Sequence, residues 1–77
     1  MDHSVAEKDG VSIVTLNGDV DLESSPIARE VLLAAAAKKT AVLVDLAGVD
    51  YIDSSGIASL VETLQATKAN GSGFGLV

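Results

Sequence analysis

The 77-residue sequence has no cysteine and no tryptophan, and it has only one tyrosine and one phenylalanine. Without cysteine it can form no disulfide, no thiolate zinc site and no thiol nucleophile. With so few aromatic side chains, any core has to be built from valine, leucine, isoleucine and alanine. Hydrophobic residues nevertheless make up 48% of the chain, and the mean hydropathy is +0.41. This composition predicts a single folded domain over residues 1–77, near the lower size limit for one core.

Basic residues are also scarce, with 5 Lys and Arg against 11 Asp and Glu for a net charge of −6. Because nucleic-acid binding needs a basic stripe, this balance excludes direct contact with DNA or RNA and favours a basic protein surface as the partner. No apolar run approaches the roughly 18 residues of a membrane span. The polar N-terminus lacks the basic and apolar regions of a signal peptide. We therefore expect a cytoplasmic protein with no direct membrane insertion.

Strand and helix patterns alternate along the chain, which predicts an α/β fold. Val-, Ile- and Leu-rich runs indicate strands, and Asp9-Gly10 is typical of a type I′ hairpin turn. The predicted strands cover residues 4–9, 11–17, 41–46 and 74–77. The first helix is capped by Ser25 and has Pro26 as its first helical residue. The second helix begins at Ser55 or Gly56 and ends at Asn70-Gly71.

In the second helix, Ile57, Leu60, Val61 and Leu64 recur at helical spacing and are expected to face the core. The apolar segment "FGLV" then ends the sequence without a following helix. We expect from this that the chain is a fragment, incomplete at its C-terminus. The exposed edge of this last strand also predicts a homodimer.

The segment "YIDSSGIASL" places Ser54 and Ser55 between a strand and a helix. Hydrolase chemistry is disfavoured, since the only histidine is His3 and the glycine of a nucleophile elbow is missing. The acidic residues lack the spacing of a calcium loop, so no metal ion and no cofactor are expected. Two roles remain open on the residues alone. The hydroxyls could cap the helix, or Ser55 could accept a phosphate beside the amide groups of the first helical turn.

The stretches "LNGDVDLESS" and "VLVDLAGVDYIDSSGIASLVE" resemble the STAS domain of bacterial anti-sigma factor antagonists, over about residues 10–77. The resemblance implies a mixed sheet of about four strands with helices mainly on one face. It also implies that Ser55 is phosphorylated by an anti-sigma factor serine kinase, with Asp21 and Asp53 around the phosphorylation surface. The unphosphorylated form would bind the kinase and release a sigma factor, and a PP2C-type phosphatase would restore it.

In this interpretation the chain is a substrate and binding module, not an enzyme. We expect the partner surface to comprise the loop at 18–25, the start of the second helix and the exposed parts of two further side chains. Its residues would be Asp21, Asp53, Ser54, Gly56, Ser59 and Glu62. STAS-like domains also serve as accessory subunits of lipid-trafficking ABC transporters, and that alternative stays open.

Overall fold

Strands and helices alternate along residues 1–77 of the computed structural model, which describes the whole chain. The elements are β1 (Asp2–Lys8), β2 (Val11–Val20), α1 (Ser25–Ala37), β3 (Ala41–Ile52), α2 (Ser54–Asn70) and β4 (Phe74–Leu76). The strands form one sheet in the order β1-β2-β3-β4, in which β1 and β2 are antiparallel and the other neighbours are parallel. The predicted α/β fold with a mixed sheet of about four strands is confirmed.

The β1–β2 hairpin turns at Asp9 and Gly10, whose φ angles of 53° and 78° are those that a type I′ turn requires. Both strands are longer than predicted. Because β2 continues through Gly18 to Val20, its residue Asn17 gives Asp2 a pairing partner, and β1 therefore begins at Asp2.

The core lies on one face of the sheet, between the sheet and the helices. Val14 and Leu16 of β2 and Val44 of β3 are at most 1% exposed, and they pack with Leu32 of α1 and Leu60 of α2 in one cluster. Burial of apolar surface stabilises the folded state by about 25 cal/mol for each Å² removed from water. No helix is both long and apolar enough to pass through a bilayer.

Strand β3 continues through residues 47–52, beyond the strand predicted at 41–46. This extension pairs with the end of β2 across two register shifts, one of which lies beside Asn17. A Cβ built on Gly48 would lie 1.9 Å from the Asn17 Oδ1 atom, so another residue here would require the Asn17 side chain to move. The extension matters for function, because it carries Asp53 to the same edge of the sheet as the end of β2.

The start of α1 differs from the prediction by one residue. Ser25 is the first helical residue, and Ser24 precedes it without a side-chain capping bond. The Ser25 N–H is instead bonded to the Asp21 carbonyl at 2.7 Å. The predicted cap at Ser25 is therefore wrong, and Asp21 organises this entry.

The predicted core face of α2 is largely wrong. Ile57, Val61 and Leu64 are 50%, 45% and 39% exposed, and of the predicted set only Leu60 is buried. The buried side instead carries Thr63 and other hydroxyl residues, which escape the usual cost of burial because they bond to carbonyls of their own helix. The Thr63 hydroxyl, for example, donates to the Ser59 carbonyl at 2.8 Å.

The exposed side of α2 borders an apolar groove of about 370 Å³ next to the edge strand β4. The groove is lined by Leu46, Ile52, Ile57, Leu60, Val61, Leu64, Phe74 and Leu76.

Candidate functional site

The C-terminal ends of the parallel strands β2 and β3 meet at one edge of the sheet, and both helices begin there. The Asp53 N–H donates to the Val20 carbonyl at 3.1 Å, which joins the two strand ends. Asp21, Asp53 and Ser55 are brought together here, as the sequence predicted from their resemblance.

Asp53 is the N-cap of α2. Its backbone is extended, at φ −99° and ψ −175°. Its Oδ1 atom accepts the N–H groups of Ser55 at 3.0 Å and Gly56 at 3.2 Å. The capping role left open between Asp53 and the two serines therefore belongs to Asp53, and neither serine hydroxyl is needed to start the helix.

The Ser55 hydroxyl donates to the same Asp53 oxygen at 2.5 Å. This bond is the largest cause that lowers the pKa of Asp53, and the N–H groups of Gly56, Ser55 and Leu22 lower it further against the opposing effect of burial. Asp53 is consequently an ionised acceptor. Because the hydroxyl proton is donated to Asp53, the lone pairs of Ser55 Oγ remain available as acceptors.

Asp21 plays the matching role in the loop between β2 and α1. Its Oδ1 atom accepts the N–H groups of Glu23 at 3.1 Å and Ser24 at 3.0 Å, and it lies 3.1 Å from the Ser24 hydroxyl. The Ser24 N–H is the largest cause that lowers the pKa of Asp21, whereas the negative charge of Asp53 raises it. The two carboxylates are thus close enough to repel each other across the site.

Gly56 lets the first turn of α2 lie directly on the strand ends. A Cβ there would come within 2.6 Å of Ile52 Cγ1, 2.9 Å of Val20 Cγ1 and 3.0 Å of the Val20 carbonyl oxygen. Gly56 was predicted to bind a partner, but it is buried. Its contribution to the site is its packing on the strand ends and its N–H bond to Asp53. Ser54, in contrast, is exposed on the first turn.

Two predicted surface residues lie farther along α2. Ser59 is only 4% exposed and its hydroxyl donates to the Ser55 carbonyl at 3.2 Å, so the prediction that it is exposed is wrong. Glu62 is partly exposed, about 10 Å along the helix axis from Ser55. Its carboxylate binds Arg29 Nε of α1 at 2.8 Å.

An acidic hollow of about 530 Å³ opens at the same edge of the sheet. Its lining is Met1, Gly18, Asp19, Asp21, Glu23, Ser24, Ile27 and Asp50. Asp19 and Glu23 lie in the loop at 18–25 that was predicted as part of the partner surface, although neither was named individually. Asp50 was not predicted. No group of three or more histidine, aspartate or glutamate side chains is positioned to hold a metal ion.

These features define an α/β domain that displays Ser55 at one edge of its sheet, held by the aspartate that caps its helix. Residues 3–77 match the model of the STAS domain. The chain belongs to the STAS domain family, as its sequence resemblance implied.

Solved structures with the same fold include an anti-sigma factor antagonist from Mycobacterium paratuberculosis, with a TM-score of 0.89 and 29% identity over 97% of this chain and 64% of that one. The structure of SpoIIAA in its unphosphorylated form matches with a TM-score of 0.82 and 15% identity, over 97% of this chain and 71% of the SpoIIAA chain. The structure of the Bacillus cell fate determinant SpoIIAA in its phosphorylated form matches with a TM-score of 0.78 and 14% identity, over 99% of this chain and 70% of that one. The chain thus spans about two thirds of the length of these proteins.

Proposed function

We propose that this STAS domain is a cytoplasmic anti-sigma factor antagonist that is switched by phosphorylation of Ser55. The unphosphorylated chain binds an anti-sigma factor serine kinase, which then releases a sigma factor. Phosphorylation separates the chain from the kinase, and a PP2C-type phosphatase reverses the modification. The likeness to solved anti-sigma factor antagonists supports this proposal.

One observation carries the choice of Ser55. Its hydroxyl is at the binding edge, is not required as a cap, and is held by an ionised carboxylate at 2.5 Å. In the transfer step, Ser55 Oγ attacks the γ-phosphorus of ATP, the bond from that phosphorus to the β,γ-bridging oxygen breaks, and the hydroxyl proton passes to a base. ADP leaves with the bridging oxygen.

The charge that is added explains why the complex would separate. A phosphoserine brings about −1.5 to −2 charges, next to Asp53 and Asp21. To be modified, Ser55 has to enter the kinase site beside the phosphates of the bound nucleotide. Once Ser55 carries its own phosphate, repulsion from ADP and from the two aspartates opposes the bound arrangement.

The proposal is tested by measuring the affinity of a purified cognate kinase for three variants. Ser55→Asp should bind at least about tenfold more weakly than the wild type, which corresponds to roughly 1.4 kcal/mol, whereas Ser55→Ala should retain affinity. Ser54→Asp is the matched control, since it adds the same charge one residue away on an exposed side chain, and its effect should be smaller. Equal binding of Ser55→Asp and wild type would contradict the switch. If a transporter ATPase binds the chain and neither aspartate variant changes that affinity, the accessory-subunit alternative replaces it.

A further inference from the structure

Leu22, at the tip of the loop between β2 and α1, is the most exposed large apolar side chain of the molecule, at 76%. An isolated exposed leucine is common on protein surfaces and needs no functional explanation. Leu22 is unusual for two other reasons, namely the rigidity of its loop and its position next to the phosphorylation site.

The loop is fixed on both sides of Leu22. The Asp21 carboxylate accepts the backbone N–H groups of Glu23 and Ser24, and the Asp21 carbonyl accepts that of Ser25. The Ser24 hydroxyl closes the loop, since it accepts the Asp21 N–H at 3.0 Å and lies 2.9 Å from the Asp19 carbonyl oxygen. An apolar side chain on a loop that is already ordered binds without the entropy cost of ordering that loop.

Leu22 is also connected to the phosphorylation site. The Asp53 N–H donates to the carbonyl of Val20, two residues before Leu22, at 3.1 Å. The Asp53 carboxylate also holds the Ser55 hydroxyl at 2.5 Å. Leu22 and Ser55 therefore lie at the same edge of the sheet, so a protein that reaches Ser55 can also contact Leu22.

The charged side chains that line the hollow at this surface are all acidic. The acidic residues at this edge of the sheet are Asp19, Asp21, Glu23, Asp50 and Asp53. All four lysines are at the opposite edge, on the β1–β2 hairpin and at the C-terminal ends of the two helices. A complementary protein therefore needs an apolar pocket with a rim of lysine or arginine.

We infer that Leu22 is the anchor by which the kinase holds this chain, inserted into an apolar pocket with a basic rim while Ser55 is presented for phosphorylation. This inference rests on the proposed function and adds the residue and the chemistry that the partner recognises. A buried aliphatic anchor surrounded by charged pairs matches the usual arrangement of an interface centre and its rim.

The test uses the complete chain and steady-state phosphorylation by a purified anti-sigma factor serine kinase from the same genome, chosen because it phosphorylates wild-type Ser55. Leu22→Ala should raise KM at least about tenfold and leave kcat unchanged, because the anchor contributes to binding and not to transfer. Leu22→Met should restore most of the affinity. Val5→Ala is the matched control, since Val5 is 44% exposed on β1, away from this edge and from the apolar groove, and the KM of this variant should equal that of the wild type. Increasing the salt concentration from about 50 to 500 mM should raise the wild-type KM, because the rim charges are screened.

Two outcomes would overturn the inference in different ways. If Ser55 is phosphorylated but Leu22→Ala has the wild-type KM at both salt concentrations, the anchor is wrong and the proposed function stands. If no such kinase phosphorylates the wild-type chain while each is active on another substrate, both are wrong. The unfolding midpoint of Leu22→Ala should match the wild type, since the side chain buries little surface.

Discussion

At the scale of single residues, Asp53 caps the helix, and the nearby Ser55 hydroxyl is not needed for that role. Asp53 satisfies the first N–H groups of α2, and Ser55 contributes its hydroxyl to the same carboxylate without being required by the helix. A residue that the fold does not need can be modified without unfolding the domain. The proposed switch at Ser55 is compatible with the fold for this reason.

Substitution of these two residues should therefore affect stability unequally. Asp53→Ala removes the cap and should lower the free energy of unfolding by about 0.5–2 kcal/mol. Ser55→Ala leaves both N–H bonds to Asp53 in place and should cost less than Asp53→Ala. Urea unfolding of both variants, with Ser54→Ala as an exposed control, measures the difference. Equal losses for Asp53→Ala and Ser55→Ala would show that the serine hydroxyl is part of the cap.

The same carboxylates predict an acid dependence of stability. A hydrogen bond from the Ser55 hydroxyl lowers the folded-state pKa of Asp53 below its ordinary value, and one from the Ser24 N–H does the same for Asp21. A lowered folded-state pKa contributes stability that is fully present above the unfolded value and is lost as the pH falls toward the folded value. The free energy of unfolding should thus fall as the pH decreases below about 4.

Unfolding midpoints measured between pH 6 and pH 2.5 would detect this loss, and Asp53→Asn should reduce the slope. An unchanged slope in Asp53→Asn would mean that other carboxylates cause the acid dependence.

At the scale of elements, α2 depends on close approach at its first turn. A side chain at Gly56 would collide with Ile52 and Val20. Because glycine has no Cβ, the start of the helix can lie close to the strand ends. The position of Ser55 at the surface follows from this contact, because Ser55 is adjacent to it in the same turn.

Gly56→Ala should consequently destabilise the domain by about 1–3 kcal/mol, the usual cost of overpacking. Gly73→Ala is the matched control, since its new Cβ would meet only the Ala41 Cβ at an ordinary 3.6 Å. Thermal unfolding of the two variants compares them directly. A Gly56→Ala variant as stable as Gly73→Ala would show that the helix start shifts freely, which would contradict a fixed presentation of Ser55.

At the scale of the whole molecule, polar and apolar surfaces are separated. The acidic binding edge is at the C-terminal ends of β2 and β3, whereas the apolar groove lies between α2 and the edge strand β4. An exposed apolar groove beside an unpaired strand edge is a common site of association.

We therefore expect the 77-residue chain to form a homodimer through β4 and the adjoining face of α2. Sedimentation velocity over a range of concentrations should show a dimer for the wild type, and Val61→Lys should shift it toward the monomer because a charge in the groove opposes burial. Val5→Lys is the control, since Val5 is 44% exposed on β1 at the other side of the sheet. A monomer at all concentrations would contradict this prediction.

The sequence predicted most of the fold, because hydrophobic runs and the Asp9-Gly10 turn reflect local physics. It failed where tertiary contacts decide. Residues 47–52 contain the polar and glycine pattern of a loop, but pairing with β2 makes them a strand. Ile57 and Val61 have the spacing of a core face, yet the side that packs is lined by hydroxyl residues such as Thr63, whose burial depends on bonds within the helix.

The resemblance predicted that Asp21, Asp53 and Ser55 share one surface, and the structure places all three at the same edge of the sheet, while their roles stay predictions. Ser59 was misplaced, because helical periodicity alone does not say which side of α2 is buried. The exposure of Leu22 could not be predicted, since it depends on the hydrogen bonds that shape the loop around it.

Phosphate mapping tests the central claim most directly. The complete chain is incubated with ATP and a purified anti-sigma factor serine kinase from the same genome, and the modified residue is located by mass spectrometry. We predict a single phosphate on Ser55, which is absent in Ser55→Ala and present in Ser54→Ala. A phosphate on Ser54, or none on either serine while the kinase modifies another substrate, would contradict the proposed switch.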